Sequence, residues 1–318
     1  MTTKIKNLPV IKQTIALLHG IKLPWLYGLS LYELVELYVK GIIEGALSYR
    51  AAAIAFSFFM ALFPFTLFIL NLIPYIPIDG FQEDFLGFVQ EGVPPNTYDA
   101  ISKIIEDILH NSYDSLISTG FVMSIFLMTN GVNAILGGFE NSQHITLKRK
   151  FFRQYFVSLG MSILLSFLLI VTVATIVVFE VFIQKTKIQD VLSDDIPLIE
   201  MGRYLFLILM ILITTSILFK FGIKRDGGKR SLISIGSVFT TILIILSSYF
   251  FGIWVVRFSK YNELYGSIGT LLIVMFYIWI NCMILLLGFE LNAIIQKHKR
   301  EKQKELELQN QDNLKSEL

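Results

Sequence analysis

Apolar residues along this chain fall into six long runs separated by short polar stretches. The runs cover residues 51–76, 116–136, 155–183, 201–219, 232–256 and 266–295. At about 1.5 Å of rise per residue, each is long enough as a helix to cross roughly 30 Å of hydrocarbon. One or two such helices could sit in the core of a soluble protein, but six leave the bilayer as the only plausible solvent. The pattern predicts an all-α fold: a polytopic membrane bundle of six transmembrane helices with amphipathic surface helices. Three regions follow from it: an N-terminal region over 1–45, a transmembrane domain over 46–296 and a charged tail over 297–318.

Two further stretches carry a helical period without the length to span. Leu31, Leu34, Val35, Tyr38, Val39, Ile42 and Ile43 recur at helical spacing, with Glu33, Glu36, Lys40 and Glu44 opposite. This predicts an amphipathic helix on the membrane surface, leading into the first span. Ile101, Ile104, Ile105, Ile108 and Leu109 form a second stripe after Pro94-Pro95. Either helix could cover the bundle, or take a direct part in gating or lipid contact.

Charge sets the orientation. Lys40 and Arg50 precede the first span, Lys148, Arg149, Lys150 and Arg153 follow the second, and Lys220, Lys224, Arg225, Lys229 and Arg230 follow the fourth. The tail adds Lys297, Lys299, Arg300, Lys302 and Lys304. The alternate connections are poor in Lys and Arg, so the basic side is expected to be cytoplasmic, with both termini there. Lys12 and Lys22 interrupt the N-terminal apolar stretch, so no cleavable signal peptide is expected.

Composition agrees with the runs. Hydrophobic residues make up 54% and charged residues 16%, against about a quarter charged in soluble domains. The formal net charge of +2 gives no global attraction to nucleic acid. The lone Cys282 rules out an intrachain disulfide. His19, His110, His144 and His298 are scattered without metal-ligand spacing. No phosphate-binding glycine loop or nucleophile elbow occurs. No cofactor and no enzymatic activity are expected, and any transport would be passive, gradient-driven or powered by a partner.

Polar residues inside the spans are few and unevenly placed. Pro64 near the middle of the first span removes a backbone hydrogen bond and is expected to kink that helix. Ser158, Ser162 and Ser166 form a small-residue stripe suited to close packing. Spans two, four and six all run inward. They carry Asn130 and Asn133, Thr214 and Thr215, and Asn281 roughly 20–25 Å from their outer ends. Glu140, Lys220, Glu290 and Asn292 join them near the inner boundary. Such groups are unfavourable in hydrocarbon unless they pair or meet water. They could line a polar cavity open to the cytoplasm, with Lys220 as a countercharge in it, or they could bridge helices, with Lys220 and Glu290 snorkelling to the interface.

Several motifs resemble one family. The run Ala51-Ala52-Ala53-Ile54-Ala55-Phe56-Ser57-Phe58-Phe59-Met60-Ala61-Leu62-Phe63-Pro64 is similar to the first-helix signature of the YihY/BrkB family of bacterial membrane proteins. Tyr261 with Leu264-Tyr265-Gly266-Ser267-Ile268-Gly269 resembles its entry to the last helix, and Leu287-Gly288-Phe289-Glu290-Leu291-Asn292-Ala293 its closing L-G-A-E-L-N-A. Gly131-Val132-Asn133-Ala134-Ile135-Leu136 takes the place of a central family segment. The chain departs from the family at Ser234-Ile235-Gly236-Ser237, where P-G-A is common, at Phe289, where Ala is usual, and in the more basic loop at residues 148–150.

The resemblance implies a six-helix inner-membrane fold. One older family name is ribonuclease BN, but RNA cleavage would need a metal cluster or an acid–base set in a soluble domain. The expected function is a transporter or flippase-like permease for an amphiphilic or anionic envelope-related solute. The alternative is a non-transporting scaffold for envelope proteins. Expected partners are membrane lipids, with anionic headgroups at the cytoplasmic face, and a second copy or an envelope protein; no nucleic acid is expected.

Overall fold

The computed structural model describes residues 30–44, 46–72, 114–142, 144–145, 148–185, 196–222, 231–257 and 267–316. The described residues form seven helices: α1 (Leu31–Glu44), α2 (Leu47–Leu72), α3 (Asp114–Glu140), α4 (Phe151–Lys185), α5 (Ile196–Phe221), α6 (Ile235–Arg257) and α7 (Ser267–Ser316). Six of them, α2 to α7, are long and apolar enough to cross a membrane. The chain is a multi-pass membrane protein.

Each helix packs on its neighbour in sequence, α2 on α3 most extensively, and α7 returns to α2 to close the ring. The buried apolar core lies at one end. Leu47, Ala51 and Ile54 from the start of α2 meet Ile135, Leu136 and Phe139 from the end of α3, Leu218 and Phe219 from the end of α5, and Leu286 and Phe289 from α7. This is the end that carries Arg50, Arg149 and Lys220, called here the basic end. Elsewhere α4 and α6 leave Phe156, Phe167, Tyr249 and Phe250 exposed. In a bilayer such side chains face acyl chains without penalty.

Local chemistry sets the helix starts. Ser30 and Glu33 cap α1 reciprocally: the Glu33 carboxylate accepts from the Ser30 amide at 2.9 Å, and the Ser30 hydroxyl accepts from the Glu33 amide at 3.3 Å. Ala46 takes a left-handed φ of 47° between α1 and α2, and its carbonyl accepts from the Arg50 amide at 3.2 Å. The segment Ser234-Ile235-Gly236-Ser237 is a second reciprocal cap. Ser237 N–H donates to Ser234 Oγ at 3.2 Å, and Ser234 N–H to Ser237 Oγ at 2.9 Å. Serines in place of P-G-A therefore start α6 by side-chain capping.

α1 divides its apolar face. Tyr38 packs edge-on against Phe239 with ring centroids 6.5 Å apart, and Ile42 joins the core. Val35, Val39 and Ile43, one position along, stay exposed. The helix is a cover on one row and an open apolar stripe on the next. The stripe at residues 101–109 lies outside the described residues.

α2 continues through Pro64. The serine stripe of α4 faces α3: Ser162 Oγ lies 3.1 Å from Thr129 Oγ1, and Ser166 Oγ donates to Met128 Sδ at 3.2 Å. α7 runs unbroken for 50 residues, about 75 Å at 1.5 Å per residue. The charged tail is thus a helical continuation of the last span, reaching well beyond a hydrocarbon layer of about 30 Å.

Candidate functional site

A buried polar cluster sits at the basic end, beside the core. Its centre is Glu290 on α7, only 1% exposed. Arg50, in the first turn of α2, donates from Nη1 to Glu290 Oε1 at 2.7 Å. The same guanidinium donates from Nε to the Gly138 carbonyl near the end of α3 at 2.9 Å. Ser142, just after α3, donates its hydroxyl to Glu290 Oε2 at 2.6 Å. One carboxylate therefore ties α7 to α2 and to the α3–α4 connection. Removing two charges from water costs several kcal/mol per ion, so a pair this buried holds only with good geometry and added hydrogen bonds. Both are present here.

Several buried groups leave their hydrogen-bonding capacity unused, and two of them, Tyr38 and His144, lie in the field of this carboxylate. Tyr38 Oη of α1 and both ring nitrogens of His144 are buried with no hydrogen-bond partner, as are Ser216 Oγ on α5 and Thr240 Oγ1 on α6. Burial, and then the negative Glu290, push the Tyr38 phenol above its ordinary value. Burial pulls the His144 imidazole below its ordinary 6.5, with Glu290 opposing and Lys297 assisting. His144 is therefore neutral at neutral pH.

Two neighbouring contacts hold helix ends in place. Asn292, two residues after Glu290 on α7, accepts the Gly236 amide at 2.8 Å and donates to Ser234 Oγ at 2.7 Å. It fills an orphan donor of the first turn of α6 from outside. Arg149 pairs with Glu140 at 3.5 Å and donates to the carbonyls of Phe221 and Gly222, each at 2.7 Å. A cation on the last carbonyls of α5 suits the negative end of the helix dipole.

The polar residues singled out from sequence do not all meet. Glu290 and Asn292 belong to the buried cluster. Asn133 Oδ1 accepts from Ser158 Oγ of α4 at 3.3 Å. Thr215 and Asn281 bond backwards to their own helices, to Ile211 O at 3.0 Å and Tyr277 O at 2.8 Å. Asn130 and Thr214 are half-buried. Lys220 ends α5 half-buried, its Nζ 5.7 Å from the centroid of the Phe221 ring. The countercharge of Glu290 is Arg50, because the first turn of α2 lies against α7.

Sequence reading missed Arg50, Ser142, His144 and Tyr38 as site residues. Arg50 counted there only as a topogenic charge. The available signal was a lone Arg and a lone Glu at the same expected depth on different spans, which are natural partners in hydrocarbon. Among the described residues no group of three or more His, Cys, Asp or Glu could hold a metal ion.

Comparison with known proteins agrees with this architecture. The chain is 28% identical over 253 residues to ribonuclease-like protein YfkH of Bacillus subtilis, covering 79% of this chain and 90% of that protein. It is 24% identical over 270 residues to a UPF0761 membrane protein of Coxiella burnetii, covering 84% and 94%. A shorter match, 32% over 83 residues, links it to a UPF0761 membrane protein of Pseudoalteromonas translucida, covering 26% and 28%. No solved structure matches. The model of the family described as virulence factor BrkB matches residues 39–312, and this chain, a ring of membrane-spanning helices closed at its basic end, belongs to that family.

Proposed function

We propose that this protein is a non-enzymatic, flippase-like permease of the bacterial plasma membrane. It admits an amphiphilic or anionic envelope-related solute at its basic end, which faces the cytoplasm together with both termini. One observation carries the reading: Tyr38 and His144 bring polar atoms without hydrogen-bond partners into the field of the buried Glu290. A buried polar group without a partner costs free energy, so two in the field of one buried carboxylate point to water or a polar solute as their complement. A headgroup bearing hydroxyls and negative charge would find donors there. The exposed Lys148, Lys150, Arg153 and Lys297 at the same end would attract it, at about 1 kcal/mol per basic residue near an anionic surface.

The test is flux or lipid scrambling by purified protein in liposomes. Replacing Asn133 and Asn281 with Leu should abolish function while leaving expression intact. Wild-type protein that moves neither lipid nor anionic solute would end the permease reading. Orientation is tested separately: reagents applied outside intact cells should leave the loop at residues 224–230 unmodified.

The scaffold reading has one observation in its favour. α7 continues as a charged, exposed helix over residues 301–309, a surface fit for a protein partner or a second copy. Under that reading, deletion after Gln296 costs function and the Asn133 and Asn281 variants do not.

A further inference from the structure

The groups facing His144 come from several elements. α7 presents Glu290, Lys297 and Glu301 to its field. α2 presents Arg50, paired with Glu290. α1 brings Tyr38 into the field of the same carboxylate. Within the connection itself, Glu140 and Arg149 satisfy each other. A short bonded path joins the ring's backbone to the acid. The His144 amide donates to Ser142 Oγ at 3.3 Å, and that hydroxyl donates to Glu290 Oε2 at 2.6 Å.

A neutral imidazole has one nitrogen with a free lone pair, and a carboxylate has room for about four hydrogen bonds. His144 uses neither ring nitrogen. Each Glu290 oxygen has one side-chain donor, from Arg50 and from Ser142. Base and counter-ion are thus linked through Ser142, each with spare capacity, the imidazole on the α3–α4 connection and the carboxylate on α7.

We infer that His144 and Glu290 form a proton-binding site at the basic end of the bundle. It fills when the adjoining aqueous phase is acidified, and filling it makes Glu290 divide its charge between imidazolium and Arg50. The proton passes from water to the free imidazole nitrogen; no other bond is made or broken. Glu290 then holds two cations, and its grip on α2 through Arg50 weakens. The consequence for transport rests on the permease reading: proton occupancy would set whether the α2–α7 contact is tight, making transport sensitive to the pH of the phase at the basic end.

The experiment is NMR titration of full-length protein in detergent micelles, with 13C-labelled histidine and 15N-labelled arginine. His144→Gln identifies the imidazole signal. The expected midpoint lies below 6.5, moving lower in Glu290→Gln and higher in Lys297→Gln, with the Arg50 Nε signal following the same wild-type midpoint. Glu290→Gln removes the carboxylate from the Arg50 contact and can cost the fold. The exposed Lys297→Gln and Glu301→Gln give independent readings, up and down respectively. A midpoint indifferent to these charges, or an Arg50 signal that does not move with His144, overturns the site. Liposome flux separates the two ideas. Flux that ignores a pH gradient overturns the coupling and leaves the permease reading intact. Absence of flux beside the expected titration removes the permease reading and leaves the proton site standing.

Discussion

Phe289 of α7 lies face to face on Phe139 of α3, with ring centroids 4.0 Å apart and planes 5° from parallel. Phe219 of α5 meets both rings edge-on, at 5.7 and 6.0 Å. The three helices that run toward the basic end each supply one ring, and the rings join those helices there. Phe289, where the family usually has Ala, completes this cluster. Phe289→Ala would leave a void lined by two phenylalanines, costing about 3 kcal/mol by the usual scale for buried aromatics. Thermal unfolding in detergent should show the loss, and an unchanged midpoint would mean that the rings do not hold the helices together.

The Arg50–Glu290 pair should behave as a unit. Arg50→Leu or Glu290→Leu alone breaks a buried ion pair and should destabilise by about 3–5 kcal/mol. The double replacement should recover most of that loss, because an apolar pair needs no desolvation. A double-mutant cycle on thermal stability measures the coupling directly. Additive losses would show that the two side chains act separately.

Where α6 and α7 cross, the backbones approach closely. A Cβ on Gly288 would collide with Thr240 Oγ1 and come within 2.8 Å of the Gly236 carbonyl. Only glycine permits this contact, as at other tight helix crossings in membranes. Gly288→Ala should push α6 away, break the Gly236–Asn292 hydrogen bond and lower stability by about 1–3 kcal/mol. Hydrogen exchange at the Gly236 amide reads the effect locally, and unaltered protection there would refute it. Gly252→Ala, which meets nothing within 4 Å, is the control.

Stability should also depend on pH through His144. In the folded protein burial holds this imidazole below its ordinary 6.5. Between 6.5 and the folded value, the unfolded chain binds a proton that the folded chain refuses. Stability is therefore fully present above 6.5, falls as pH drops through that window and levels off below it. The melting temperature of the wild type should decline on acidification more than that of His144→Gln. Parallel profiles for the two proteins would show that His144 does not contribute.

Much of the architecture was legible in the chain. Long apolar runs have one solution in lipid, because every backbone donor and acceptor must be satisfied within its own helix. The six spans, the amphipathic α1 and the bulk of each boundary follow from that constraint. So do the depth of Glu290 and Asn292 and the use of the α4 serines, since small polar residues on a span have few other roles. The helical tail was less legible: its residues are charged on all sides, and helix there depends on continuing a span already formed.

The partners of the polar residues were decided by tertiary structure. Hydropathy reports depth and face but not which helix stands opposite, so the partner of Glu290 could not be read from the pattern of the spans. Closure of the ring brings the first turn of α2 against α7 and puts Arg50 there. The same closure stacks Phe289 on Phe139 and sets Asn292 over the start of α6. It also leaves Tyr38 and His144 buried beside a carboxylate without partners of their own. The chain by itself determined that polar groups would collect at the basic end. Which of them pair, and which remain open to a proton or a solute, depends on contacts between residues up to 240 positions apart, and no local pattern encodes those.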